Sequence, residues 1–186
     1  LLEFGHLYNR AGFMDIRDIF FQGDPFSRAL CVGLTAFTET AALLVENREY
    51  IYKDHYPLHC DTQWEKFKKL PPLNSGGFMA DVSTMKKIVQ LSDEILQKCG
   101  PGFDQGTFNE IVYLNMLNVE VATYTSEYSP VAMICNSLTI GVSAIDTVLN
   151  DAMVVYDVVH QFDRFEELTK IYQKRWPIDV SNFHKG

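Results

Sequence analysis

Several features that would point directly to a function are missing from this 186-residue sequence. Its 4 cysteines are far apart, with no CxxC pair and no zinc-ligand spacing, so we expect buried free thiols or at most one disulfide. No run of about 18 apolar residues occurs, and no membrane span is therefore expected. The sequence has no N-x-S/T acceptor site, so glycosylation gives no indication of compartment.

Positive charge is also scarce. The chain has 16 Lys and Arg against 24 Asp and Glu, which gives a net charge of -8 and a pI near 5.0. Its densest basic clusters, "EKFKKL" and "YQKRW", contain acids or lie at predicted helix ends, which is typical of solvated faces. Binding to nucleic acid needs a basic stripe along the phosphates, so nucleic acid is not expected as a partner.

Apolar residues, by contrast, make up 47% of the chain, enough to build the core of one domain over residues 1–186. Strand-like and helix-like segments alternate, which predicts an α/β fold with a mixed sheet flanked by helices. Strands are predicted on either side of a polar turn near 15–18 and at 29–37, 76–81, 119–124, 130–135 and 153–160. Helices are predicted at 60–70, after a cap at Asp81 or Ser83 as far as Cys99, at 104–117 and at 164–176.

Polar groups concentrate after a short apolar strand, in "MDIRD". Asp15 and Asp18 repel each other unless a cation lies between them, and Mg²⁺ and Mn²⁺ prefer such oxygen ligands. Arg17 could bind a phosphate through two parallel hydrogen bonds. The alternative is a solvated turn in which Arg17 pairs with one of the acids.

Two further junctions carry similar groups. In "PLNSGGFMAD", the segment 74–77 either lets the backbone approach a ligand closely or simply forms the turn that enters a strand. In "VVHQFDRF", His160, Gln161, Asp163 and Arg164 follow an apolar strand. Imidazole is a ligand for manganese and a donor to phosphate oxygens, although a histidine after a strand is often structural.

The segment "DQGTFNEIVY" begins a predicted helix with polar residues. Asp104 is a good helix cap, which is one explanation for its position. The other explanation is that Asp104 and Gln105 face a pocket and hold a ligand there.

Four blocks in this order, "DIRDIFFQGDPF", "LNSGGFMAD", "GPGFDQGTFNEIVY" and "VVHQFDRF", resemble the signature blocks of a family of nucleotide-sugar-dependent glycosyltransferases of the GT-A type. The resemblance runs from about Met14 to Leu168. It implies a GT-A-like fold, in which this chain is the C-terminal portion and the N-terminal nucleotide-binding half is missing or cut short. Enzymes of the family often work in the secretory pathway, which for a eukaryotic protein would be the Golgi or secretory lumen, but this segment carries no address and its compartment stays unknown.

The resemblance also implies roles for individual residues. Asp15, Asp18 and His160 would hold a divalent ion, Mn²⁺ or Mg²⁺, on the diphosphate of a nucleotide-sugar donor. Asp104 and Gln105 would face the transferred sugar or the acceptor and take part in catalysis. The donor and its sugar would be bound by other polar and small residues of the blocks: Arg17, Asn74, Ser75, Gly76, Gly77, Gln161 and Arg164.

The implied reaction moves a sugar from the nucleotide-sugar donor to a hydroxyl of a glycan, protein or small-molecule acceptor. Two other functions are consistent with the same residues. One is an inactive relative that binds a glycan or nucleotide or acts as a scaffold. The other is a hydrolase that uses the same metal site, with water as the acceptor.

Overall fold

In a computed structural model, the protein is described over residues 7–27, 33–39, 44–45, 63–99, 104–125, 129–134, 141–143 and 146–177. These residues form a mixed α/β structure with three α-helices: α1 (Val82–Cys99), α2 (Asp104–Tyr113) and α3 (Glu166–Arg175). The strands are β1 (Arg10–Met14), β2 (Ile19–Phe21), β3 (Leu34–Thr38), β4 (Leu73–Asp81), β5 (Val121–Thr125), β6 (Val131–Met133), β7 (Gly141–Val142), β8 (Val148–Leu149) and β9 (Val158–His160). None of the described helices combines the length and the hydropathy that crossing a bilayer requires.

The largest sheet has four strands in the order β1-β4-β3-β5. Strand β4 runs antiparallel to both of its neighbours, whereas β3 and β5 are parallel. The pairing of β3 with β4 is irregular, since Ala36 lies opposite Phe78 but Thr38 lies opposite Leu73. Residues 74–77 of β4 therefore form a bulge, a feature that is common next to functional sites.

A second sheet has the order β2-β9-β6, with β9 antiparallel to β2 and parallel to β6. Strands β7 and β8 form a small antiparallel pair. Because β1 belongs to the first sheet and β2 to the second, the four residues between them carry the chain from one sheet to the other. This turn and the bulge in β4 position the site described below.

The apolar core has three main parts. Helices α1 and α2 cover the four-stranded sheet, where Phe78 and Phe108 stack with ring centroids 4.4 Å apart. Helix α3 covers the second sheet, where Phe162 and Tyr172 stack at 4.5 Å. A third cluster joins the two sheets and consists of Phe37, Met79, Val131, Met133 and Val158. Its members are buried, so the two sheets form one continuous interior.

Helix α1 begins at the residue after β4, whereas the start of β3 needs a special backbone conformation. Gly33 has φ +102°, and a Cβ at this position would lie 2.4 Å from the carbonyl oxygen of Glu120. Only glycine adopts this conformation without strain, so Gly33 sets where β3 begins. Burial raises the pKa of the Tyr113 hydroxyl, which donates to the carbonyl of Pro71.

Three sequence predictions need correction. The predicted strand 153–160 is a strand only at 158–160; residues 151–153 form a turn and Met153, Val154 and Val155 are exposed. In the predicted helix 60–70, the described part is a single 3-10 turn at Trp64–Lys66 followed by a turn, because Pro71 and Pro72 prevent extension. The predicted strand 76–81 begins earlier, at Leu73. Residues 29–32 of the predicted strand 29–37 lie outside the described part of the chain.

Candidate metal centre

The candidate metal centre lies where the two sheets meet. Asp15 follows β1, Asp18 precedes β2, and His160 ends β9. The antiparallel register of β2 and β9 pairs Ile19 with His160, which places Asp18 one residue from the histidine's partner. Two backbone hydrogen bonds hold the turn: the Asp15 N–H donates to the Gly76 carbonyl at 2.9 Å, and the Gln161 N–H donates to the Asp18 carbonyl at 2.6 Å.

The side chains of these three residues converge on one point. His160 Nε2 lies 3.1 Å from Oδ2 of Asp15 and 3.4 Å from Oδ1 of Asp18. The imidazole is 1% exposed and the Asp18 side chain 8%, whereas the Asp15 side chain is 46% exposed. His160 and Asp18 are thus buried, whereas Asp15 borders solvent, so the site is open on the Asp15 side.

The spacing of the acids explains why the turn is necessary. On a regular strand, residues 15 and 18 would point to opposite faces. The chain instead leaves the first sheet after Met14 and enters the second at Ile19, and the intervening bend brings both carboxylates to the same side. The sequence prediction that Asp15, Asp18 and His160 come together is met, although 145 residues separate Asp15 from His160.

The donor set fits a divalent cation. One ligand atom from each residue lies within 4.8 Å of the other two. In an octahedron with metal–ligand bonds of about 2.1 Å, adjacent ligand atoms are about 3 Å apart and opposite ones about 4.2 Å. The observed 3.1 and 3.4 Å separations match adjacent positions. Two carboxylates and one imidazole could therefore hold a metal ion such as Mn²⁺, and the open side leaves positions for other ligands.

A glycine in the bulge of β4 makes room for this arrangement. A Cβ on Gly76 would lie 2.3 Å from His160 Cε1, 2.6 Å from Asp15 Oδ2 and 2.7 Å from His160 Nε2. Any larger residue would displace the imidazole or the carboxylate. Gly76 is thus part of the wall of the site, which gives the "NSGG" block a definite steric role.

A buried polar network continues from this wall. The Gly76 N–H donates to Asn74 Oδ1 at 2.7 Å, and Asn74 Nδ2 donates to Glu39 Oε1 at 3.4 Å. Gln105 Nε2 donates to the same oxygen of Glu39 at 2.9 Å. The metal centre, the "NSGG" block and the "DQG" block are therefore linked through the carboxylate of Glu39, which is 2% exposed.

The buried amide of Asn109 holds the two blocks together. Its Oδ1 accepts from the Leu73 N–H at 2.9 Å, and its Nδ2 lies 2.8 Å from the Leu73 carbonyl and 2.7 Å from the Gln105 carbonyl. Helix α2 is thereby fixed against the start of β4. Because Asn109 connects the backbones of Leu73 and Gln105, the side chains of Asn74 and Gln105 are held close enough to donate to the same Glu39 oxygen.

Sequence reasoning missed Glu39 and Asn109. A signal for Glu39 was available, since a carboxylate two residues after the predicted strand 29–37 is at a position that often carries function in open α/β sheets. Asn109 lies within the quoted block "GPGFDQGTFNEIVY", but no role was assigned to it, because a polar residue inside a helix is ordinarily solvent-exposed. Only its location between α2 and β4 reveals its role.

The other residues predicted to bind the donor or to act in catalysis lie outside the three-residue centre. Arg17 is exposed beside the acids, and Ser75 lines an apolar cavity of about 280 Å³ between β4, α1 and α2. Gly77 contacts the core instead of the metal centre, because its Cβ would meet Met133 Cε at 2.4 Å. Asp104 is the first residue of α2, and its side chain lies outside the described part of the structure.

Gln161 and Arg164 form a pair near the centre without entering it. Gln161 is buried in a left-handed backbone conformation, with φ 65°. With the amide oriented so that both of its ends are satisfied, its nitrogen donates to the Ile134 carbonyl at 3.0 Å and its oxygen accepts from Arg164 Nη2 at 2.9 Å. The amide of Gln161 therefore anchors the turn after His160, whereas Arg164 is exposed and could reach a ligand.

A scan against known protein families and a search of curated proteins found no match to this chain, so the geometry of the site carries the functional argument.

Proposed function

We propose that this protein is a metal-dependent glycosyltransferase, which moves a sugar from a nucleotide-sugar donor to an acceptor hydroxyl. The observation that carries the proposal is the convergence of Asp15, Asp18 and His160 from opposite ends of the chain on one partly open point. Three of the four blocks that resemble GT-A glycosyltransferases contribute these three residues and the glycine that makes room for them. The mixed sheet with helices on its face is compatible with a GT-A-like fold.

In this proposal the three residues hold Mn²⁺ or Mg²⁺ at the donor diphosphate. A divalent cation there offsets the negative charge that the diphosphate gains as it leaves the sugar. The burial of His160 and Asp18 keeps their ligand atoms in a fixed arrangement, so little reorganisation is needed when the donor binds. Arg17, an exposed residue between the two acids in the sequence, is proposed to bind a phosphate oxygen.

The network around Glu39 supplies the sugar-binding side. Asn74 and Gln105 both donate to Glu39, which fixes the orientation of their amides and of the backbone at Gly76. Asp104, one residue before Gln105 at the start of α2, is proposed to act on the acceptor hydroxyl or on the transferred sugar. Glu39 itself is too deeply buried to meet a substrate, so we assign it a positioning role.

The first test combines a metal with a nucleotide. We expect the melting temperature of the 186-residue chain to rise when Mn²⁺ and uridine or guanosine diphosphate are added together, and to rise less with either alone. The physical reason is that each ligand supplies binding groups for the other: the carboxylates need a cation, and the cation has open positions for phosphate. At about 100 times the dissociation constant, the stabilisation is about 2.7 kcal/mol.

The same experiment separates the alternatives. If neither nucleotide shifts the melting temperature at saturating Mn²⁺, the chain does not bind a donor. The proposed transferase function is then wrong, and a role as a scaffold is favoured. Release of free sugar from a nucleotide-sugar, at equal rates with and without any acceptor, would indicate a hydrolase. Transfer to an added acceptor, detected by mass spectrometry, supports the proposal.

The role of Glu39 gives a second prediction. Glu39→Gln keeps the shape of the side chain but removes its negative charge, so the hydrogen bonds from Asn74 and Gln105 lose about half of their strength. The side-chain amides of Asn74 and Gln105 would then be held less firmly where the sugar is proposed to bind, which should lower kcat about tenfold to a hundredfold. The affinity for Mn²⁺, measured by isothermal titration calorimetry, should stay close to that of the natural chain, because Glu39 does not contact the triad.

The matched control is Glu65→Gln, which removes the same charge from an exposed side chain that pairs with Lys68. It should change neither kcat nor Mn²⁺ affinity. Unchanged kcat in Glu39→Gln would contradict the positioning role, whereas a loss of Mn²⁺ affinity would show that the network acts on the metal ligands themselves.

A further inference from the structure

The second ring nitrogen of His160 faces a sulfur atom. Nδ1 lies 3.2 Å from Sδ of Met133, within the buried cluster that joins the two sheets. Parallel pairing of β6 with β9 places Met133 directly opposite His160, and both residues are almost fully buried. The contact therefore follows from strand register, and neither side chain can turn away into solvent.

A thioether can accept a hydrogen bond but has no proton to donate. A proton on Nδ1 of His160 can be donated to Met133 Sδ at 3.2 Å, whereas a lone pair on Nδ1 would find no donor there. In a neutral imidazole the other nitrogen then has the free lone pair. That nitrogen is Nε2, the atom that faces Asp15 and Asp18.

We infer that Met133 is a positioning residue, whose sulfur holds His160 in the tautomer that presents the Nε2 lone pair to a metal ion. His160 Nε2, Asp15 Oδ2 and Asp18 Oδ1 then all present lone pairs to the centre, and a cation between them can accept all three. This inference rests on the metal site of the proposed function and is independent of whether a sugar is transferred.

Packing against Gly77 restricts the side chain of Met133 and the position of its sulfur. A Cβ on Gly77 would lie 2.4 Å from Met133 Cε and 3.7 Å from its Sδ, so the side chain fills the space that the glycine leaves. The "SGG" segment thus serves both nitrogens of the histidine: Gly76 lies against the Nε2 side, and Gly77 admits the methionine that contacts Nδ1. This assigns a role to Gly77 that differs from the predicted sugar binding.

Histidines that bind metals usually donate their other N–H to an oxygen acceptor, and loss of that partner typically lowers metal affinity about tenfold to a hundredfold. Sulfur is a weaker acceptor, so we expect an effect at the low end. Met133→Leu keeps the volume but removes the acceptor, and it should weaken Mn²⁺ binding to the 186-residue chain about tenfold by calorimetry. The matched control is Met79→Leu, a buried methionine of the same cluster whose Mn²⁺ affinity should not change.

A spectroscopic measurement tests the tautomer directly. Long-range ¹H–¹⁵N correlation spectra of the metal-free natural chain should show the proton of His160 on Nδ1 and none on Nε2. Circular dichroism of both variants checks that they fold. If Met133→Leu is unfolded, the spectrum of the natural chain decides alone.

The outcomes are distinct. Equal Mn²⁺ affinity in Met133→Leu and Met79→Leu, or a proton on Nε2 of the metal-free chain, overturns the role of Met133 but leaves the metal site standing. Failure of the natural chain to bind Mn²⁺ overturns both this inference and the metal site of the proposed function.

Discussion

Asp18→Asn is expected to remove Mn²⁺ binding, with an affinity loss greater than the 10- to 100-fold that accompanies changes in residues behind metal ligands. The substitution replaces a buried anionic ligand with a neutral amide of the same shape. Its side chain is 8% exposed, so water cannot easily take the place of the lost carboxylate. Calorimetric titration with Mn²⁺ measures the effect, and transfer activity should fall with it.

The same variant should affect stability in opposite directions with and without metal. In the metal-free chain, Asp18→Asn relieves repulsion between two carboxylates that share one site, so the free energy of unfolding should stay constant or rise. With saturating Mn²⁺ the variant should be less stable than the natural chain, because it lacks the stabilisation that binding supplies. Chemical denaturation with and without Mn²⁺ gives both values.

Asp163→Asn is the matched control, since Asp163 is an exposed acid in the turn that follows the histidine. It should have little effect on metal affinity or on stability. A drop in the stability of metal-free Asp18→Asn would contradict the proposal. It would indicate instead that His160 is a charged partner of both acids and that the cluster is a structural ion pair.

Gly76→Ala is expected to have the second large effect. The added methyl group would lie 2.3 Å from His160 Cε1 and 2.6 Å from Asp15 Oδ2. Both are closer than van der Waals contact, so at least one ligand must move. Overpacking of this kind costs about 1–3 kcal/mol of stability. A metal site that needs three fixed ligands should lose at least about tenfold in Mn²⁺ affinity.

Gly141→Ala is the control for the loss of a glycine as such. A Cβ there would lie 3.5 Å from the Cβ of Leu149, an ordinary contact, so stability should change by no more than about 0.5 kcal/mol. Calorimetry and thermal melting of the two variants, side by side, distinguish a steric effect at the metal centre from a general effect on β-strands. Full Mn²⁺ affinity in Gly76→Ala would show that the centre tolerates displacement and is not a preorganised metal site.

Prediction from the sequence was most successful where local pattern controls structure. The spacing of apolar residues such as Met85 and Ile88 predicted α1, and the observed helix ends at Cys99 as expected. It failed at 153–160, where a continuous apolar run suggested one strand. Strand pairing continues only as far as the partners in β2 and β6 extend, so residues before Val158 are left outside the second sheet.

The same division applies to the candidate site. Short polar segments at the ends of apolar runs marked Asp15, Asp18 and His160 as candidate ligands, and the resemblance to GT-A blocks grouped them as one metal site. The partners of these residues could not be selected in this way. Glu39, Asn109 and Met133 differ little, in local sequence, from an ordinary surface acid, a helix amide and a core methionine.

Residue types and local spacing thus establish an acidic α/β chain and the set of groups that can bind a cation. Two long-range features of the fold decide how these groups are used: the turn that carries 15–18 between the sheets and the β6–β9 register that places Met133 against His160. Both depend on pairing between strands far apart along the chain. Such pairing is determined by the packing of the whole core, and no short segment of sequence contains it.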